Sequence, residues 1–276
     1  MGLLLGIAVG LVLGLTGAGG SILAVPLLMW GLDWTLVQAA PVALIAVAAA
    51  SAFGTLAAWD VAYIRYRAAA LMALASLLTA PLGLLAAAAL PHAGLVVLFG
   101  VVLLGVSVQM AWQARRAPEE TRVVRAAVAG DEGHARGPLC RLNPVTRRIV
   151  WTRPCAIALG ACGAVTGFLS GLMGVGGGFV IVPTLRAISE VSIHSAVATS
   201  LMAIALISSA TVASAWLLGH DLPWRVALPF ALGALAGMLA GRRLAPRIAG
   251  PCLQAGFAAL AGTVALALIA QGLHLV

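Results

Sequence analysis

Two short clusters hold the residues best suited to chemistry. They are Thr16, Gly17, Ala18, Gly19, Gly20 and Ser21 near the start of the chain, and Met173, Gly174, Val175, Gly176, Gly177 and Gly178 beyond its middle. Neighbouring glycines break a helix and leave backbone amides bare. An apolar stretch able to form a helix follows each break, so its first free N–H groups and positive dipole end face the break. A small anion suits such a place. Sliding the second segment back by 157 residues lays Gly167, Gly171, Gly174, Gly176, Gly177 and Pro183 on Gly10, Gly14, Gly17, Gly19, Gly20 and Pro26, so the chain contains an internal repeat. Matching interruptions of this kind in two apolar halves mark the substrate site of repeat-built transporters.

Not every glycine belongs to such a site. Gly10, Gly14, Gly167 and Gly171 are spaced by four and read as small-residue packing positions. Gly10→Ala should accordingly be mild, whereas Gly19→Val or Gly176→Val should fill the space where amides meet a ligand. Further candidates come from the next apolar segment of each half. Allowing two extra residues, Gln38, Ala39, Ala40 and Pro41 align with Val197, Ala198, Thr199 and Ser200. The Thr199 and Ser200 hydroxyls are candidate ligand contacts, with hydrogen bonding to their own helix as the alternative, and Gln38 is a weaker candidate.

The elements that position these residues are membrane helices. With 62% apolar and 9% charged residues and a mean hydropathy of +1.09, the composition excludes an ordinary soluble domain. Eight apolar runs stand out: 3–30, 36–59, 68–90, 95–112, 155–185, 191–218, 226–240 and 253–273. Most reach the ~20 residues needed to cross a bilayer. The expected class is an all-α integral membrane protein of two inverted repeats, each a Gly-rich broken or re-entrant helix followed by three transmembrane helices. Residues 1–112 form the first repeat, 113–153 an Arg-rich linker and 154–276 the second.

Charge sets the orientation. All 16 basic residues are arginines, and nine fall in the polar connection after Gln113, which places it in the cytoplasm as a flexible linker. If all eight runs crossed, the arginines would split twelve to four between the two faces. If the Gly-rich runs instead enter and leave by one face, as pairs of half-helices reaching the bilayer middle, the split is fifteen to one. The tally predicts six spans plus two re-entrant hairpins, with both termini outside. The alternative is a broken but fully spanning first helix in each half.

The basic charge belongs to this topology rather than to a nucleic-acid surface, and no nucleic-acid partner is expected. Cys140, Cys155, Cys162 and Cys252 have no CxxC spacing and read as packing residues or a free loop thiol, with no metal and no cofactor. Asp60, Glu190 and His194 are the available proton carriers if transport is proton-coupled. The lipid bilayer and a small anion are the expected partners, and a homodimer is compatible with the sequence.

The paired Gly-rich segments, Pro26, Pro183 and the stretch from Ala198 to Leu201 resemble the sulfite exporter (TauE/SafE) family of bacterial inner-membrane permeases. The resemblance implies movement of small sulfur-containing or organic anions, such as sulfite, sulfoacetate or related sulfonates. Two other classes are weighed beside it. An intramembrane hydrolase using Ser21 or Ser170 would need a histidine within reach, yet His92, His134, His220 and His274 fall in loops or termini and His194 begins a span. A passive anion channel shares the re-entrant architecture and differs in kinetics.

Overall fold

The computed structural model describes residues 1–16, 19–57, 65–127, 140, 151–188, 193–219, 223–244 and 250–274. Within them the regular elements are helices: α1 (Gly2–Thr16), α2 (Ala24–Leu32), α3 (Leu36–Leu56), α4 (Tyr66–Ala89), α5 (His92–Ala127), α6 (Arg153–Met173), α7 (Gly178–Ile188), α8 (Ile193–Leu217), α9 (Trp224–Leu244) and α10 (Gly250–His274), with a 3₁₀ segment (Gly19–Leu23) leading into α2. The all-α class stands. Seven of the described helices, α3 to α6 and α8 to α10, are long and apolar enough to cross a membrane. In α5 the apolar part ends at Trp112, but the helix continues to Ala127, so the first part of the connection is helical rather than a flexible linker.

The chain turns back at both glycine clusters. Gly20 packs on the backbone of Val12 and Leu13, and Gly31 lies against the Leu5 side chain, so α2 returns along α1. Likewise Gly177 meets Thr166, and the Cys162 thiol meets the Thr184 hydroxyl, so α7 returns along α6. The first hairpin keeps arms as short as the half-helices the sequence suggested, the 15 residues of α1 spanning about 22 Å at 1.5 Å per residue, short of the ~30 Å hydrocarbon core. The second does not, because the 21 residues of α6 span about 31 Å, enough to cross it.

Packing explains these lengths. Gly163, Gly167 and Gly171 of α6 lie in turn against Met72, Ser76 and Ala80 of α4, a parallel seam that needs a long first arm. The same seam is made by α1 and α9: Gly6, Gly10 and Gly14 meet Phe230, Ala234 and Met238, while Gly233, Gly237 and Gly241 meet Leu3, Ile7 and Leu11. Without a hydrophobic driving force inside lipid, close backbone approach at small residues is what joins such helices. Gly10, Gly14, Gly167 and Gly171 are therefore packing residues. The mild Gly10→Ala does not follow, because a Cβ there would overlap the Ala234 carbonyl oxygen, and backbone cannot swing aside like a side chain.

Each hairpin thus leans on a helix of the other half. Between them α3 and α8 pack antiparallel, with Gly54 against Leu201, and α5 pairs antiparallel with α10, with Gly100 against Ile269 and Gly272 against Val97. At one end of the bundle Gly2 neighbours Val226, and Trp30 Nε1 donates to Gln271 Oε1 at 3.2 Å. At the other end the Arg65 amide donates to Thr199 Oγ1 at 3.1 Å and Arg242 Nη1 to the Gly54 carbonyl at 2.7 Å. Arg65 and Arg242 share one end of the bundle.

The cysteines do not all behave as expected. Cys140 and Cys155 form a disulfide with a Cα–Cα distance of 5.1 Å, tying the connection to the first turn of α6. Their separation of 15 residues gives no motif. Cys162 is free and buried.

Candidate functional site

The second cluster forms a buried turn. Gly174 caps α6 in the left-handed region (φ 72°), its N–H donating to the Ser170 carbonyl at 2.8 Å. Gly176 (φ 68°) and Gly177 (φ 67°) repeat that conformation, which side chains with a Cβ rarely adopt, and α7 then starts at Gly178. Successive backbone N–H groups in such turns make anion-binding concavities. Of the first amides of α7, that of Val180 donates to the Gly177 carbonyl at 3.1 Å, so Gly178 and Phe179 are the ones that can add donors at the same spot.

Side chains close around this turn from three helices. Gly174 abuts Ala40 of α3, Gly177 abuts Thr166 of α6, and Gly176 faces Val47, Ile204 and Ser208. Met173 and Val175 are buried with them. Most hydroxyls nearby are committed: Thr166 donates to the Cys162 carbonyl at 2.6 Å, and Ser170 pairs with Thr211 at 3.2 Å. Ser208 is fully buried and its Oγ has no partner. Sequence reasoning passed over it, although Ser51 and Ser208 stand 157 residues apart, the offset of the glycine clusters. The helices keep that offset, α3 starting at Leu36 and α8 at Ile193, so no two-residue insertion separates them.

The first cluster is stitched differently. Thr16 Oγ1 donates to the Val12 carbonyl at 2.8 Å and accepts the Gly20 amide at 3.0 Å, which locks the end of α1 to the 3₁₀ segment. Ser21 is buried beside it. Gly17 and Ala18 lie outside the described residues, as do Asp60, Glu190 and the side chain of His194.

Gly14, near the end of α1, lies against Gly241 and Arg242 in the last turns of α9, whereas Gly174 reaches Ala40 near the start of α3 and Gly176 reaches Val47 near its middle. The 3₁₀ segment rests against α7.

The remaining candidates are spread out. Gln38 is exposed and forms a capping box with Thr35, its Oε1 accepting the Thr35 amide at 3.2 Å. Thr199 accepts from Arg65, and Ser200 donates to the Val197 carbonyl at 2.8 Å, so both hydroxyls have partners within the fold. Nine residues of α8, about 13 Å of helix, separate Thr199 from Ser208. An open groove of about 510 Å³ lies between α5 and α7, lined by Gln109, Val106 and Val102 of α5 and by Phe179, Val180 and Thr184 of α7.

The architecture defines a multi-pass helical membrane protein with two glycine-turned hairpins packed inside its bundle. A model of the sulfite exporter TauE/SafE family matches residues 2–268, and the chain belongs to that family. It is 30% identical over 242 residues to a "Probable membrane transporter protein" of Xylella fastidiosa strain 9a5c, covering 87% of this chain and 82% of the relative. A second protein of the same description, from strain Temecula1, is 31% identical over 246 residues with the same coverage. No solved structure matches the chain. The protein is a membrane transporter, not an enzyme.

Proposed function

We propose that the chain carries a small sulfur-containing or organic anion, such as sulfite, sulfoacetate or a related sulfonate, across the bacterial cytoplasmic membrane by alternating access. The observation that carries this reading is the duplicated seam. The α1–α2 hairpin packs on α9, and the α6–α7 hairpin packs in the same way on α4, each in the opposite half. Inverted repeats that exchange conformations convert an outward-open carrier into an inward-open one. The anion would be held at the glycine turns, through the backbone donors of residues 173–178 and of the 3₁₀ segment that touches α7. A helix N-terminus presents roughly half a positive charge, which favours an anion over a cation. Holding by dipoles and neutral donors is weak enough to allow release.

Flux into liposomes containing the purified protein tests this. Uptake of sulfite or sulfoacetate should saturate with concentration, show counterflow, and vanish in Gly176→Val. Linear uptake without counterflow would make the protein a channel, and flux of cations alone would overturn the anion reading.

A further inference from the structure

The second turn contains a donor that the fold does not use. Ser208 on α8 is 0% exposed, its Oγ has no hydrogen-bond partner, and that oxygen lies 2.7 Å from the point where a Cβ on Gly176 would sit. A buried hydroxyl without a partner gives up its hydrogen bonds to water and gains none in return. A serine in a helix ordinarily avoids this by donating to a carbonyl three or four residues back, as Ser214 does to Ala210 and Ser200 to Val197. Ser208 makes no such bond, and its Oγ packs directly against Gly176, two residues before α7 begins.

The unpartnered hydroxyl is repeated. Ser51 on α3 is likewise 0% exposed with an unpartnered Oγ. It stands 157 residues before Ser208, as Gly19 stands before Gly176. A third hydroxyl, Ser76, is also buried and unpartnered, but it lies in the α4–α6 seam against Gly167, away from any helix N-terminus. Its surroundings are packed backbone, and it has no amides to share a ligand with.

We propose that Ser208 is a substrate-binding residue, its hydroxyl donating to an oxygen of the transported oxyanion while the first amides of α7 take the others. This rests on the anion-transport reading and assigns the side chain that the backbone site lacks. Two features converge: a buried donor with no acceptor beside the turn, and a helix N-terminus that favours negative charge. The ligand class is a compact anion with hydrogen-bond-accepting oxygens. Halides, which lack the oxygen geometry, should compete poorly.

Sulfite binding to the purified full-length chain separates the alternatives, measured by calorimetry together with the thermal unfolding of the unliganded protein. Ser208→Ala should weaken sulfite binding at least tenfold while unliganded stability stays equal or rises, because the lost hydroxyl had no partner. Ser76→Ala, the same chemical change in the seam, should leave sulfite affinity within twofold of the parent. If Ser208→Ala does not fold, Ser208→Cys keeps the volume with a poorer donor and is read by the same criterion. Affinity within twofold of the parent in the Ser208 variant overturns the assignment, as does an equal loss in Ser76→Ala. Failure of the parent protein to bind sulfite or sulfoacetate would instead sink the anion reading on which the assignment stands.

Discussion

Arg242 Nη1 donates to the Gly54 carbonyl across 2.7 Å, joining the last turn of α9 to the last turn of α3. A guanidinium at the carbonyl end of a helix meets both unsatisfied acceptors and the negative end of the dipole. It also sits where the first hairpin ends, since Gly14 packs against the Arg242 backbone. Through its backbone and its side chain, one residue of α9 therefore links the first hairpin and α3, both of the other half.

Arg242→Gln should lower stability by about 1–2 kcal/mol, the range for hydrogen bonds to charged groups reduced for partial exposure. Arg242→Lys should recover part of that. Thermal unfolding in detergent measures both, and an unchanged midpoint in the glutamine variant would contradict the linking role.

Glycine substitutions should sort by what a Cβ would meet. Gly10→Ala should cost about 1–3 kcal/mol by overpacking, since the Ala234 backbone obstructs it, whereas Gly105→Ala, with nothing within 4 Å, should be neutral or slightly stabilising. Equal midpoints for the two variants would show that the α1–α9 seam is looser than described.

Single-cysteine labelling in a cysteine-free background checks orientation. A cysteine at Arg243 should react with an impermeant maleimide only after the cytoplasmic side is opened, and one at Leu218 should react in intact cells. The arginine tally demands this, because the positive-inside bias acts on short loops such as these. Labelling at 243 from outside would invert the assignment.

The Cys140–Cys155 pair gives a chemical test of the connection. Purified without reductant, the protein should resist alkylation at both positions until dithiothreitol is added, whereas Cys162 should resist in either case while folded, because it is buried. Disulfides are uncommon in reducing cytosol. Alkylation in intact cells should therefore find the pair reduced, with oxidation following isolation.

The two hairpins were legible in the sequence because glycine is the residue that sterics single out. Gly174, Gly176 and Gly177 adopt positive φ, and each marks the turn as a position that other residues fill poorly. The partners of the hairpins were not legible. Gly10 announces that a helix approaches, but nothing local says that it is α9 rather than a neighbour in sequence. Arm length was hidden for the same reason, being set by the seam. Thr199 and Ser200 drew notice through an alignment with two added residues, and without that insertion the repeat aligns Ser51 with Ser208. Counting polar residues could not separate them, because what distinguishes Ser208 is a bond it does not make.

The seam between α1 and α9 also bears on how the protein is made. Leu3 rests against Gly233, so α1 leaves the ribosome long before the partner it packs against has been synthesised. At about 5–20 residues per second, that is a delay of roughly ten to fifty seconds. Throughout it the glycine face of α1 lies bare in the lipid, able to engage a second nascent chain as readily as its own. Biogenesis is therefore a race between translation and mispairing, and a slow codon cluster ahead of α9 would lower the yield of folded protein without changing a single residue.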